Sequence, residues 1–480
     1  MSIEPPTTDP PRTAGEPGTS AQGAAPAAPS PLRALRPLVL RLHFYAGVFV
    51  APSLFVAAVT GLLYAGSFQA EKIVYAHELA IPVGDDKLPI SQQVAAARKA
   101  HPEGTISAVR PSPQPNATTR VLLSGVKGIA ADHTLAVFVD PYTGKVRGAL
   151  EQYGSTGALP LRIWIDELHR DLHLGDTGRL YSEFAASWLW VITGGGLMLW
   201  FGRRRARRKV RGTTGRRRSL TLHGTVGVWA AAGLFFLSAT GLTWSTYAGA
   251  NIGDLREALG QSTPSVVTAT VSSGHEGHGS MAGMDMNGMD TGSHSGARSD
   301  MGLDAALKTA RAEGLSDPVE IVPPADSSSA YVVRQIQRSW PEKQDAIAVD
   351  PATGKVTDVL RFSDYPVLAK LTRWGIDAHT GILFGLANQI ALAGLALALI
   401  LLSLWGYRMW WQRGRGSAFG RPLPCGAWRQ VPVYVLVPCV AVVAVVGCYV
   451  RLLGIPLAGF LAVDIVLGWV TRRRTGHAHP

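Results

Sequence analysis

Cysteine is scarce in this chain. Three occur in 480 residues, at Cys425, Cys439 and Cys448. No CxxC pair and no CxxCH haem-attachment motif is present, which excludes a disulfide framework and leaves side-chain ligation as the only way to hold a haem. Charge is also sparse, at 17% against 47% hydrophobic residues, as fits a membrane protein with substantial soluble parts. Large apolar side chains are few over residues 1–35, a Pro/Ala/Gly/Ser/Thr tail that cannot bury a core and is expected to be disordered. A cleavable signal peptide is not expected, because the first apolar run begins too late and is too long. Acidic residues are outnumbered 34 to 46 by Lys and Arg, and the excess is uneven. Residues 203–218 alone carry ten Arg or Lys. That run follows an apolar segment directly, so it reads as a cytoplasmic loop under the positive-inside rule rather than as a nucleic-acid site. Arg33, Arg36 and Arg41 before the first span agree with this, as do Arg408, Arg413 and Arg415 after the fourth. These basic loops are short and hold no flavin or nicotinamide fingerprint, so an electron donor would come from elsewhere.

What the chain does contain is one membrane segment written twice. LHFYAGVFVAPSLFVAAVTGLLYAG at 42–66 matches LHGTVGVWAAAGLFFLSATGLTWST at 222–246, at a constant offset of 180. His43 falls on His223, Gly47 on Gly227, and Thr60-Gly61-Leu62 on Thr240-Gly241-Leu242. A second set of matches runs at an offset of 210: Asp140/Asp350, Gly144/Gly354, Trp164/Trp374, His169/His379 and Gly175/Gly385. The chain therefore gains 30 residues between the sets, and the Met/His-rich stretch 274–301 is the obvious insertion.

Alternating apolar runs from a cytoplasmic N-terminus gives the following order. A first span covers 36–66, an exterior segment 67–180, a span 181–202, the basic loop 203–221, and a span 222–246. A second exterior segment covers 247–382, a span 383–407, a cytoplasmic loop 408–430, a hairpin of two spans 431–471, and a tail 472–480. Arg451, Gly454 and Pro456 suggest a tight turn between the last two spans; the final one is short, and Asp464 inside it reads either as a polar group facing a neighbouring helix or as part of a proton path. Each exterior segment shows a helix (91–101; 303–313) and strands (near 105–110, 118–124 and 134–140; near 318–323, 330–337 and 345–350). The third strands end alike, in VFVDPYTGKV and IAVDPATGKV, where Asp-Pro-x-Thr-Gly is turn chemistry. The expected fold is a membrane α-helical bundle, four core spans in two tandem repeats plus a C-terminal helical hairpin, with two extracytoplasmic α/β domains.

The repeat singles out His43, His169, His223 and His379 from thirteen histidines. His43 and His223 open outward-going helices; His169 and His379 precede inward-going ones. This predicts two layers with one histidine from each half, and two facing imidazoles are what a six-coordinate haem b needs. Gly61 lies 18 residues after His43, five turns and roughly 27 Å along the same stripe, as Gly241 does after His223. These glycines read either as room for a second porphyrin or as close helix packing. His173, four residues after His169, would share its helical face and stays open as ligand, as a neighbour of the ligand or as a propionate partner. In the insertion, His275, His278, Met281, Met284, Met286, Met289, His294 and Met301 sit among Gly, Ser and Asp. Thioether and imidazole together select copper, Cu(I) above all.

Four pieces carry a family resemblance: RLHFYAGVFV with VTGLL, DELHRDLHLGDTGRLY, TLHGTVGVW with ATGLTWS, and DAHTGILFGLANQ leading to LWGYRMWWQR. Over about residues 35–415 the chain resembles the PepSY-associated transmembrane family. The resemblance implies PepSY-like exterior domains and an inner-membrane location. It also implies an activity like that of the family's di-haem ferric-siderophore reductases, with the same four histidines as ligands and His169 in the Leu-His-Arg position. The Met/His insertion and the C-terminal hairpin depart from the simplest members, and the insertion points to copper in place of iron. The function expected is a transmembrane electron conduit with two haem b groups. It would take electrons from a quinol or a cytoplasmic reductase and reduce an extracytoplasmic metal ion or chelate. The rival is a non-enzymatic copper-binding or copper-sensing membrane protein. A third reading, PepSY units restraining a protease, has no motif to test it.

Overall fold

A computed structural model describes residues 31–204, 215–269, 300–412, 429 and 431–476. The chain opens in a 44-residue helix, α1 (Pro31–Val74), so the last residues of the expected tail are already helical. At 1.5 Å per residue it is about 66 Å long, roughly twice a bilayer's hydrocarbon thickness. Its far end therefore stands clear of the apolar zone and carries the next elements: a single turn, α2 (Ala76–Leu79), α3 (Ile90–Ala100), and strands β1 (Thr105–Arg110), β2 (Thr119–Ser124), β3 (His133–Val139) and β4 (Val146–Tyr153). An amphipathic helix, α4 (Pro160–Asp171), leads into the membrane helix α5 (Asp176–Arg204). The second half repeats the plan with α6 (Arg216–Leu242), α7 (Tyr247–Ala258), α8 (Gly302–Ala312), β5 (Val319–Val322), β6 (Tyr331–Gln335), β7 (Ala346–Val349), β8 (Val356–Leu360), α9 (Val367–His379) and α10 (Gly385–Trp411). A hairpin, α11 (Val433–Tyr449) and α12 (Arg451–Gly476), ends the described chain.

Five of these helices, α1, α5, α6, α10 and α12, are long and apolar enough to cross a membrane; α11 is apolar but has only 17 residues. The protein is a multi-pass membrane protein. Its four repeat-derived helices form a ring in which α1 touches α5 and α10, and α6 touches the same two. Helices α1 and α6, which carry the duplicated histidines, therefore face each other across the centre. The hairpin attaches outside the ring. Trp188 of α5 donates to Leu452 O at 3.2 Å, Asn251 of α7 donates to Tyr449 O at 2.7 Å, and Arg41 of α1 pairs with Asp464 of α12 at 2.5 Å. Both members of that ion pair are buried. This corrects the reading of Arg41 as a flanking loop charge, and it gives Asp464 a partner on a neighbouring helix.

The strands depart from the sequence expectation in one important respect. They do not make two separate units but one antiparallel sheet of eight, in the order β4-β3-β2-β1-β5-β6-β7-β8. The halves join where Val109 of β1 pairs with Ile321 of β5, both fully buried. Buried Glu320 spans this seam, accepting from Arg110 Nε at 2.6 Å and from Arg334 Nε at 2.8 Å. Helices α3 and α8 cover one face together, and Asp304 of α8 takes the N-terminal N–H groups of Ile90 and Ser91 in α3. Ala108, Leu122, Ala136 and Phe138 pack on the other face against Leu159, Tyr75 and Leu79. With both faces covered, β3 is apolar through most of its length rather than alternating. The two Asp-Pro-x-Thr-Gly turns close the β3–β4 and β7–β8 hairpins, with Gly144 and Gly354 at φ of +70° and +69°. Strands β4 and β8 lay unread because they are half-polar edge strands.

The two ends of the insertion leave the sheet at one place. Ala330 N donates to Thr268 O at 2.8 Å, and Tyr331 Oη donates to the Asp300 carboxylate at 2.9 Å. Met301, the last methionine of the cluster, packs against the sheet core and thus serves the fold. Removing residues 270–299 and bridging the neck should therefore leave the thermal unfolding midpoint of the detergent-solubilised chain unchanged. A deletion carried through Asp300 and Met301 should lower it. At the seam, burial alone would raise the Glu320 carboxyl, but Arg110 and Arg334 outweigh it and hold it at about 2. The folded value is depressed, so its stabilisation is complete above the unfolded value near 4.5 and is lost as pH falls toward 2. Glu320→Gln should cost about 3–5 kcal/mol at pH 7 and flatten the acid dependence of unfolding between those values.

Candidate functional site

An imidazole has two nitrogens, and which one stays open can be read from what occupies the other. His43 Nδ1 lies 3.0 Å from Ile192 O in α5, and His223 Nδ1 lies 3.1 Å from Leu402 O in α10. A carbonyl oxygen only accepts, so both Nδ1 atoms carry the proton and both Nε2 lone pairs are left over. Ile192 and Leu402 stand at the same offset of 210 that relates His169 to His379. The two ring centres are 6.3 Å apart with planes at 75°. With a metal–imidazole bond of ~2 Å and a nitrogen about 1 Å from its ring centre, two rings sharing one metal ion sit roughly 6 Å apart. A cavity of about 740 Å³ adjoins both rings, of ordinary cofactor-pocket size. Gly196 is the close contact: a Cβ there would come within 3.2 Å of His43 Cε1.

The second pair lies toward the sheet. His169 and His379 end α4 and α9, each just before the turn into a membrane helix. Their Nδ1 atoms lie 2.9 Å from Thr60 Oγ1 and 2.6 Å from Thr240 Oγ1. Each threonine spends its own hydroxyl proton on the backbone, at Val56 O or Phe236 O one turn earlier. Its oxygen must then accept from the imidazole, which again frees Nε2. Burial lowers His169 to about 4. Burial, with a smaller contribution from nearby His169, lowers His379 to about 3. Both rings are neutral at pH 7, the form that binds a metal. Gly61 and Gly241 make room for these rings: a Cβ would meet His169 Cε1 at 3.2 Å and His379 Cε1 at 3.7 Å. Trp244 stands edge-on to His379, with ring centres 5.6 Å apart.

Ion pairs clamp the two histidine-bearing helices. Glu71 of α1 holds Arg162 of α4 at 3.0 Å and takes Leu159 N. On α9, Asp377 is fully buried and paired with Arg338, whose Nη1 also donates to Ser155 of the first half at 2.7 Å. His173 does not share a helical face with His169, because α4 ends at Asp171 and His173 turns away at φ +55°. It lies 3.2 Å from Glu167 and against Trp164, exposed. His275, His278, Met281, Met284, Met286, Met289 and His294 lie outside the described residues.

The sequence reading missed Thr60, Thr240, Ile192, Leu402 and Gly196. The threonines were inside the repeated Thr-Gly-Leu, and the run Gly194-Gly195-Gly196 was a visible sign of close approach in a span. The two carbonyls leave no side-chain signal. Among the described residues no three of His, Cys, Asp and Glu come together as a metal site. Two imidazoles per tier instead suit an iron whose other four ligands belong to a porphyrin.

No curated protein matches the chain. The family model described as the PepSY-associated TM region matches residues 40–413, which takes in all four repeat-derived membrane helices, both histidine tiers and the whole sheet. The chain belongs to the PepSY-associated TM family.

Proposed function

We propose that this protein is a haem-b electron conduit across the cytoplasmic membrane, with its basic loops inside and its sheet outside. Its substrate is an extracytoplasmic metal ion or metal chelate, a ferric siderophore or copper. The observation that carries the proposal is the state of the four imidazoles. Each has Nδ1 tied to an acceptor of its own half, and each has Nε2 left over. Nothing in helix packing requires that same arrangement four times.

Haem b, when bound, would supply one-electron exchange. His43 and His223 would hold the tier far from the sheet, and His169 and His379 the tier beside it. Ile192 O, Leu402 O, Thr60 Oγ1 and Thr240 Oγ1 set the tautomer and ring plane of each ligand and raise its basicity. The apolar walls of α1, α5, α6 and α10 exclude water. The sheet and its clamped helices roof the outer tier, where one electron converts Fe(III) to Fe(II) or Cu(II) to Cu(I) in the substrate. The donor is a membrane quinol or a cytoplasmic reductase. Composition keeps copper open through the Met/His insertion, as substrate or as a bound ion.

Haem stoichiometry by pyridine haemochrome checks the reading. The purified chain should hold two haem b groups. His43→Ala or His223→Ala should leave one, and so should His379→Ala. A colourless wild-type chain, or loss of both groups from one substitution at normal expression, would contradict it.

A further inference from the structure

The cavity beside His43 and His223 has one charged end. Arg36, Arg203 and Arg217 line it, and among the described residues no Asp or Glu does. Two of them share one spacing. Arg36 lies seven residues before His43 on α1, and Arg203 seven residues after Gly196, the contact of His43 on α5. Seven residues is close to two turns, so each arginine sits on the stripe that faces the histidine tier, about 10 Å further from the sheet. Arg217 opens α6 on the same side. The rest of the lining is largely apolar: His43 and His223 lie partway along it, and Leu54 and Leu234, eleven residues beyond them, continue it toward the sheet.

From this we infer that Arg36, Arg203 and Arg217 form a dicarboxylate site at the mouth of the cavity. It fixes the orientation of the cofactor, with both propionates turned away from the sheet. The inference rests on the haem reading above and adds the group's direction and its anchors. Two turns match the reach of a propionate arm from the iron. Three guanidiniums against two carboxylates also offset the cost of bringing anionic groups to the edge of the apolar zone, since charge-assisted hydrogen bonds are among the strong ones. A basic cavity mouth would otherwise take a lipid phosphate, the same chemistry from another source.

The test loads the haem-free full chain, in nanodiscs of phosphatidylcholine alone, with haem b or its dimethyl ester. The His379→Ala background leaves only the far tier to fill. Arg36, Arg203 and Arg217 should favour the free acid over the ester by about ten-fold or more, the scale of one charge-assisted hydrogen bond. R36Q/R203Q/R217Q should bring the ratio near one, while R36K/R203K/R217K should retain most of the preference. On the His379-containing chain, an unchanged haem content in the sheet-side tier shows that the Gln variant is folded. Equal uptake of acid and ester by the unsubstituted mouth would overturn the site and leave two-tier ligation standing, as would an undiminished preference in the Gln variant. Failure of the wild-type chain to bind any haem would overturn both.

Discussion

Every feature near the centre of this protein follows from one constraint: a histidine nitrogen inside an apolar bundle must be satisfied. An unpaired polar group in hydrocarbon costs several kcal/mol, and no water is at hand to offset it. Four Nδ1 atoms meet that demand with acceptors from their own half. Two use backbone carbonyls of α5 and α10, and two use threonines of α1 and α6. Meeting it fixes which helices neighbour which, and it puts α1 opposite α6. It also leaves four Nε2 atoms in the same predicament. The proposed metal centre at each tier would resolve this for both members of a pair at once.

The soluble part serves the same geometry. A sheet split into two units could let the histidine-bearing helices drift apart. Here the halves are sewn edge to edge through Val109 and Ile321, and the seam is locked by Arg110, Glu320 and Arg334. The clamps beneath are not symmetric. Glu71 reaches α4 from the extended end of α1, whereas Asp377 of α9 is held by Arg338 from the β6–β7 connection. The repeat thus preserves the tier and lets its supports diverge. Burial drives the Glu342 carboxyl beside Asp377 up to about 7, with Asp377 itself adding to the rise. Charge in the second clamp is accordingly more finely balanced than in the first.

Much of this was legible in the chain. The offsets of 180 and 210 picked out both histidine pairs and the membrane helices, because histidine and glycine positions in a duplicated bundle leave little freedom. What stayed hidden had no side-chain pattern to show it. Ile192 and Leu402 act through carbonyls, β4 and β8 are edge strands of mixed polarity, and α4 and α9 lay inside the matched motifs without a clear apolar run. The joining of two sheets depends on the contact of Val109 with Ile321, over two hundred residues apart in the chain, with the membrane helices α5 and α6 between them. Arg41 misled because a basic residue at a span's start usually belongs to the loop. Here Asp464 of a helix beyond the repeat draws it inward.

The most direct measurement is the electron paramagnetic resonance spectrum of the oxidised, purified chain. Two-tier bis-imidazole ligation predicts low-spin ferric haem only. One component should show the strong anisotropy of crossed rings, as the 75° between His43 and His223 requires, and should vanish in His223→Ala. A high-spin ferric signal from the wild-type chain, or no haem signal at all, would contradict it.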